Sequence, residues 1–102
     1  MLDYISKHKL PKTVSNAVQI IIENLSVDEF NQFRNCEEKD IHKLSREFGM
    51  IIRNTLGLWS DNTELLEDCK MYSTYKESDT SIHPYIASDI IITQVWKKIN
   101  QT

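Results

Sequence analysis

Phe48-Gly49-Met50-Ile51-Ile52-Arg53-Asn54-Thr55-Leu56-Gly57-Leu58-Trp59-Ser60-Asp61-Asn62 decides the fold of this chain. Apolar residues recur at helical spacing up to Leu56, Gly57 supplies a helix stop, and Ser60 or Asn62 opens the next helix. The stretch carries helix-end signals and apolar side chains but no evident chemistry. It reads as scaffold. Gly49, inside the helix, costs about 1 kcal/mol relative to alanine, and is expected to serve close helix contact.

Upstream, the helix that ends here begins around residues 37–40, where Glu37, Glu38 and Asp40 suit the positive end of its dipole. Its buried stripe is predicted as Ile41, Leu44, Phe48, Ile51, Ile52 and Thr55. Before it, residues 10–25 read as a first helix. Thr13 is its N-cap and Val14, Ala17, Val18, Ile21, Ile22 and Leu25 share one face. Ser26 with Glu29 forms a capping-box pattern opening a short second helix, on which Phe30 and Phe33 are expected to face the same way. That helix is predicted to fail near Asn35.

Downstream, Leu65, Leu66 and Cys69 mark a fourth helix. Residues 71–82 are polar and hydroxyl-rich, which reads as an exposed loop. His83-Pro84 then starts the last helix, with proline at a favourable first position and His83 able to cap. Its apolar residues, Ile86, Ala87, Ile90, Ile91, Ile92, Val95, Trp96 and Ile99, cover most of the circumference, so it is expected to lie at the centre. The isoleucine run suits a strand too, but the proline start, the length and the Lys97-Lys98 finish favour a helix. The reading is one all-α domain over residues 1–102, a compact bundle of about five helices with its core in residues 10–99.

Composition agrees. Among 102 residues, 40% are hydrophobic and 26% charged, ordinary for a globular protein, and two glycines with two prolines leave few turns for a β fold. No apolar run reaches the roughly 18 residues of a membrane span. The N-terminal residues lack the order of a secretory signal, and a cytoplasmic location is expected. Cys36 and Cys69 are then expected as free thiols.

The net charge of −3 is unevenly spread. Residues 61–79 hold Asp61, Glu64, Glu67, Asp68, Glu77 and Asp79 against Lys70 and Lys76. Such a segment repels nucleic-acid phosphates and suits a basic protein partner. A solvated helix face gives the same pattern.

Catalysis and metal binding find little support. Glu38 and His42 stand four apart, yet no further closely spaced ligands complete a zinc site. Asp61-Asn62-Thr63-Glu64 lacks the glycine and terminal glutamate of a calcium loop. The acids beside Cys69 would raise its thiol pKa rather than activate it. No catalytic residue, cofactor or metal is expected, and the chain is read as a non-enzyme. Arg53 is expected to bond helix carbonyls or an acid on a neighbouring helix while its stem packs on apolar groups. Trp59 and Trp96 read as core residues, with Trp59 also placed to anchor a partner.

The segments Phe48-Gly49-Met50-Ile51-Ile52-Arg53-Asn54, Gly57-Leu58-Trp59, Asn62, Leu65-Leu66, His83-Pro84, Ser88, Ile91 and Trp96 resemble, over roughly residues 10–99, a small bacterial domain family of uncharacterised function. Tyr85-Ile86 departs from that family's tendency to acidic residues after the proline. The resemblance implies a helical fold and no particular activity. In size and charge the chain is also similar to immunity proteins, which neutralise secreted or contact-delivered toxins. That similarity implies an inhibitor that occludes a basic toxin domain, such as a nuclease, with no nucleic-acid or membrane partner. Its expected contact residues are Asp61, Glu64, Glu67, Asp68, Glu77 and Asp79, with Trp59, Tyr72 and Tyr75 as anchors. The alternative is a structural or regulatory adaptor, homodimeric through an apolar helix face. The oligomeric state is open.

Overall fold

The computed structural model describes residues 10–59, 62–72 and 82–101. They form an all-α bundle of α1 (Val14–Asn24), α2 (Val27–Arg34), α3 (Ile41–Thr55), α4 (Thr63–Lys70) and α5 (Pro84–Asn100). A 3-10 turn over Glu38–Asp40 precedes α3, so the acids there lie before the α-helix rather than in its first turn. No helix among the described residues is long and apolar enough to cross a membrane.

The local signals position these elements. Thr13 caps α1, its Oγ1 accepting from the Asn16 N–H at 3.1 Å. At α2 the capping box closes in both directions, with Ser26 N–H donating to Glu29 Oε1 at 2.8 Å and Glu29 N–H to Ser26 Oγ at 3.1 Å. Gly57 takes φ 70°, and the Leu58 N–H returns to the Arg53 carbonyl at 3.0 Å. This is the left-handed stop that a Cβ would strain. Of the two candidates for the α4 cap, Asn62 holds the position.

α5 packs against all four other α-helices. Ala87, Ser88, Ile91, Ile92, Val95 and Ile99 are its buried residues, joined in the core by Val14, Ala17 and Ile21 of α1, Phe33 of α2, Leu44, Phe48 and Ile52 of α3, and Leu65 and Cys69 of α4. The central position expected for this helix is correct, although Ile86 lies 38% exposed. Two core readings change. Phe33 is fully buried, 5.1 Å from the Phe48 ring centroid, whereas Phe30 stays exposed at the rim. Trp59 is 51% exposed and does not belong to the core. Trp96 is half-buried, and its indole N–H donates to the Cys36 carbonyl at 2.7 Å.

Candidate functional site

The described acids of the expected contact set lie on α4. Glu64 and Glu67 are exposed, and with Asp68 they line an open groove of about 530 Å³ shared with Lys12, Thr13, Thr63 and Met71. Lys12 Nζ stands 3.9 Å from Glu64 Oε1, a solvent-exposed pair of small energetic weight. Asp68 already has a structural partner: its Oδ2 accepts the first α1 N–H, from Val14, at 2.7 Å. That carboxylate satisfies an orphan donor and complements the positive end of α1. Tyr72, 49% exposed, lines a different cavity of about 360 Å³ with Lys97 and Lys98. Asp61, Tyr75, Glu77 and Asp79 lie outside the described residues. The acidic residues and the aromatic anchors therefore do not share one groove among the described residues.

Trp59 instead belongs to a cluster at the start of α5. Its ring meets His83 edge-on at 5.9 Å and Tyr85 edge-on at 5.6 Å, while His83 and Tyr85 stack at 5.0 Å with 14° between planes. Edge-to-face geometry sets the positive rim of one ring on the negative face of another. His83 is also the α5 cap, its Nδ1 accepting from the Tyr85 N–H at 3.0 Å. The same residue that starts the helix therefore fixes the aromatic cluster.

Arg53 completes the arrangement in a way the sequence did not indicate. Its Nη1 donates to Ser88 Oγ at 3.0 Å, and Ser88 Oγ donates to the Tyr85 carbonyl at 3.0 Å. The guanidinium carbon lies 4.2 Å from the Tyr85 ring centroid, a cation–π contact. The expected bonds to helix carbonyls or to an acid are replaced by a hydroxyl and a ring face. Gly49 makes this possible, because a Cβ there would stand 2.8 Å from Arg53 Nη1. Its missing side chain accommodates the guanidinium of the residue four positions on. The i, i+4 spacing of Gly49 and Arg53 was visible in the sequence, but its meaning depends on Ser88 and Tyr85 arriving from another helix.

The arrangement is electrostatically one-sided. The ion pairs Lys12–Glu64, Lys39–Glu37 and Lys43–Asp40 lie elsewhere and do not involve Arg53. Arg53 Nε is buried without a hydrogen-bond partner among the described residues. Serine and tyrosine orient the cation without neutralising it.

The cysteines are free, and no group of three or more His, Cys, Asp or Glu residues that could hold a metal occurs among the described residues. Burial first, then the Asp68 carboxylate, pushes the Cys69 thiol up to about 12 from an ordinary 9.0. A folded pKa above the unfolded one means that stability is fully present below about pH 9 and falls as pH rises toward 12. Between about pH 8 and about pH 10.5, urea unfolding should show the native protein losing about 2 kcal/mol more than Cys69→Ala does. Equal losses would mean that the buried thiol does not govern this part of the alkaline limb.

Comparison with curated proteins and with solved structures gives no match. The pattern of one domain family does match, over residues 10–99, which span every α-helix except the last residue of α5. The chain thus belongs to the family described as Domain of unknown function (DUF6794).

Proposed function

We propose that this domain is a non-catalytic protein-binding module, an immunity-type inhibitor that occludes a bacterial toxin, with Trp59 at the centre of its binding face. The observation that carries this reading is the Trp59 indole, half-exposed yet fixed by edge-on contacts with His83 and Tyr85. Large aromatic groups dominate binding energy at protein interfaces. Holding one rigid before association reduces the entropy lost on binding. Tyr85, 54% exposed, extends the same surface. The exposed Glu64 and Glu67 on α4 add a negative field that would accelerate encounter with a basic toxin domain and disfavour nucleic acid.

The test is capture of a partner by the tagged protein from its source cell, followed by binding kinetics with the purified partner. Trp59→Ala should weaken binding by about thirtyfold or more, mainly through faster dissociation, as expected for a central anchor. Glu64→Gln with Glu67→Gln should slow association and reduce its salt dependence. Neutralisation of the partner's toxic activity at a one-to-one ratio would support inhibition by occlusion. Equal binding by all forms would reject this face, and self-association lost on Trp59→Ala would favour a homodimeric adaptor.

A further inference from the structure

Resting on the protein-binding reading, we infer that Arg53 is the receptor for a carboxylate, taking an aspartate or glutamate side chain of the partner protein beside Trp59 and Tyr85. The guanidinium is held by the space at Gly49, the Ser88 hydroxyl and the Tyr85 ring. These contacts fix its plane and position. None of them supplies negative charge, and no ion pair to Arg53 occurs among the described residues.

Two further features set the sign of the ligand. Arg53 contacts the first turns of α5, whose positive end favours an anion, while its own backbone lies in the last turn of α3. Arg53 Nε is also buried with no hydrogen-bond partner among the described residues, so the bond from Nη1 to Ser88 does not exhaust the donors of the guanidinium. Arginine presents planar N–H donors that match a carboxylate, and immobilising those donors beforehand lowers the cost of using them. The exposed rings of Trp59 and Tyr85 suit apolar residues flanking the acid. The occupant is therefore an acidic residue set in an apolar segment of a protein. A free inorganic anion would leave those rings unused.

Gly49→Ala provides the sharpest test, because it alters the position of the cation and not its presence. The new Cβ would stand 2.8 Å from Nη1, so the guanidinium must shift relative to Ser88 and Tyr85. Alanine is the better helix former, so α3 should be retained. The probe is an acetylated leucyl-glutamyl-leucine amide tripeptide, with its glutamine counterpart as control. Binding is followed by NMR at the Arg53 Nε–H and Trp59 Nε1–H signals.

The glutamate peptide should shift both signals saturably and the glutamine peptide at least tenfold less, while Gly49→Ala and Arg53→Gln each lower the response of the Trp59 Nε1–H signal to the glutamate peptide by about tenfold or more. Equal responses to the two peptides, or an unchanged response in Gly49→Ala, would overturn the inference. The partner assay separates this result from the broader reading. Binding lost in Trp59→Ala but retained in Arg53→Gln would leave the protein-binding face standing and remove the carboxylate. Binding retained in both would remove the face itself.

Discussion

Replacing Asn62 with alanine is expected to cost about 3–5 kcal/mol, a large share of the 5–15 kcal/mol typical of a small domain. Asn62 is 1% exposed, and one side-chain amide ties three segments together. Its Nδ2 donates to the Pro11 carbonyl at 2.8 Å and to the Leu56 carbonyl at 2.9 Å, while Oδ1 accepts the Leu65 N–H at 3.4 Å. The first bond holds the segment entering α1, the second satisfies an orphan carbonyl at the end of α3, and the third caps α4. Alanine would remove all three and leave two carbonyls facing the interior. Thermal unfolding should fall by roughly 10–20 °C.

Asn62→Asp separates capping from bridging. Aspartate caps a helix about as well as asparagine, so a purely capping role predicts a small loss. The geometry predicts a loss at neutral pH at least as large as that of alanine, because a buried carboxylate would face two carbonyl oxygens. Burial would raise the new carboxyl's folded pKa. Its destabilisation should therefore ease on acidification, as the group protonates and regains one donor. A variant as stable as the native protein at neutral pH would show that the bridge carries little energy.

The second large effect is expected at Phe33. This ring is the only buried residue of α2, and it packs against Phe48 of α3. Phe33→Ala should cost about 3–5 kcal/mol, combining lost burial with the cavity left behind. The effect should be local first. The end of α2 is otherwise held by Arg34 Nη1 donating to the Ile99 carbonyl at 3.4 Å and by Asn100 Nδ2 donating to the Phe33 carbonyl at 3.2 Å. Without the ring these polar contacts, which water can replace, have little to keep α2 docked. Hydrogen exchange in Phe33→Ala should accelerate in α2 before it does so in α5. Uniform acceleration would mean that α2 unfolds only with the whole domain. Phe30→Ala, at the exposed rim, is the matched control and should cost far less.

Capping shows how much of the fold was legible. Thr13, Ser26 with Glu29, Gly57 and His83 all occupy the terminal positions their residue types indicate. A cap depends on the few residues next to it, so short-range pattern is enough. The α3 stripe was legible for the same reason, with Leu44, Phe48 and Ile52 buried and Ile41, Ile51 and Thr55 half-buried beside them. Phe30 and Trp59 were harder to place because hydrophobicity says that burial is favourable but not that another helix is there to provide it. Where no element covers the position, a large ring stays at the surface.

The candidate site shows where local pattern stops. Trp59 was marked as an anchor, and Gly49, Arg53, His83 and Ser88 all stood out in the sequence without a common purpose. Sequence by itself determined the five helices, most of their caps and much of their apolar faces, because hydrogen-bond spacing, caps and the 3.6-residue period act over a single turn. The start of α3 and the place of Phe30 departed from that reading. Only the tertiary structure decided that Gly49 makes room for a guanidinium, that Ser88 and Tyr85 orient it, and that Asn62 and Asp68 bond segments more than fifty residues away. Those contacts depend on how α5 crosses α3 and α4 packs on α1, and that geometry is set by the packing of the whole core at once.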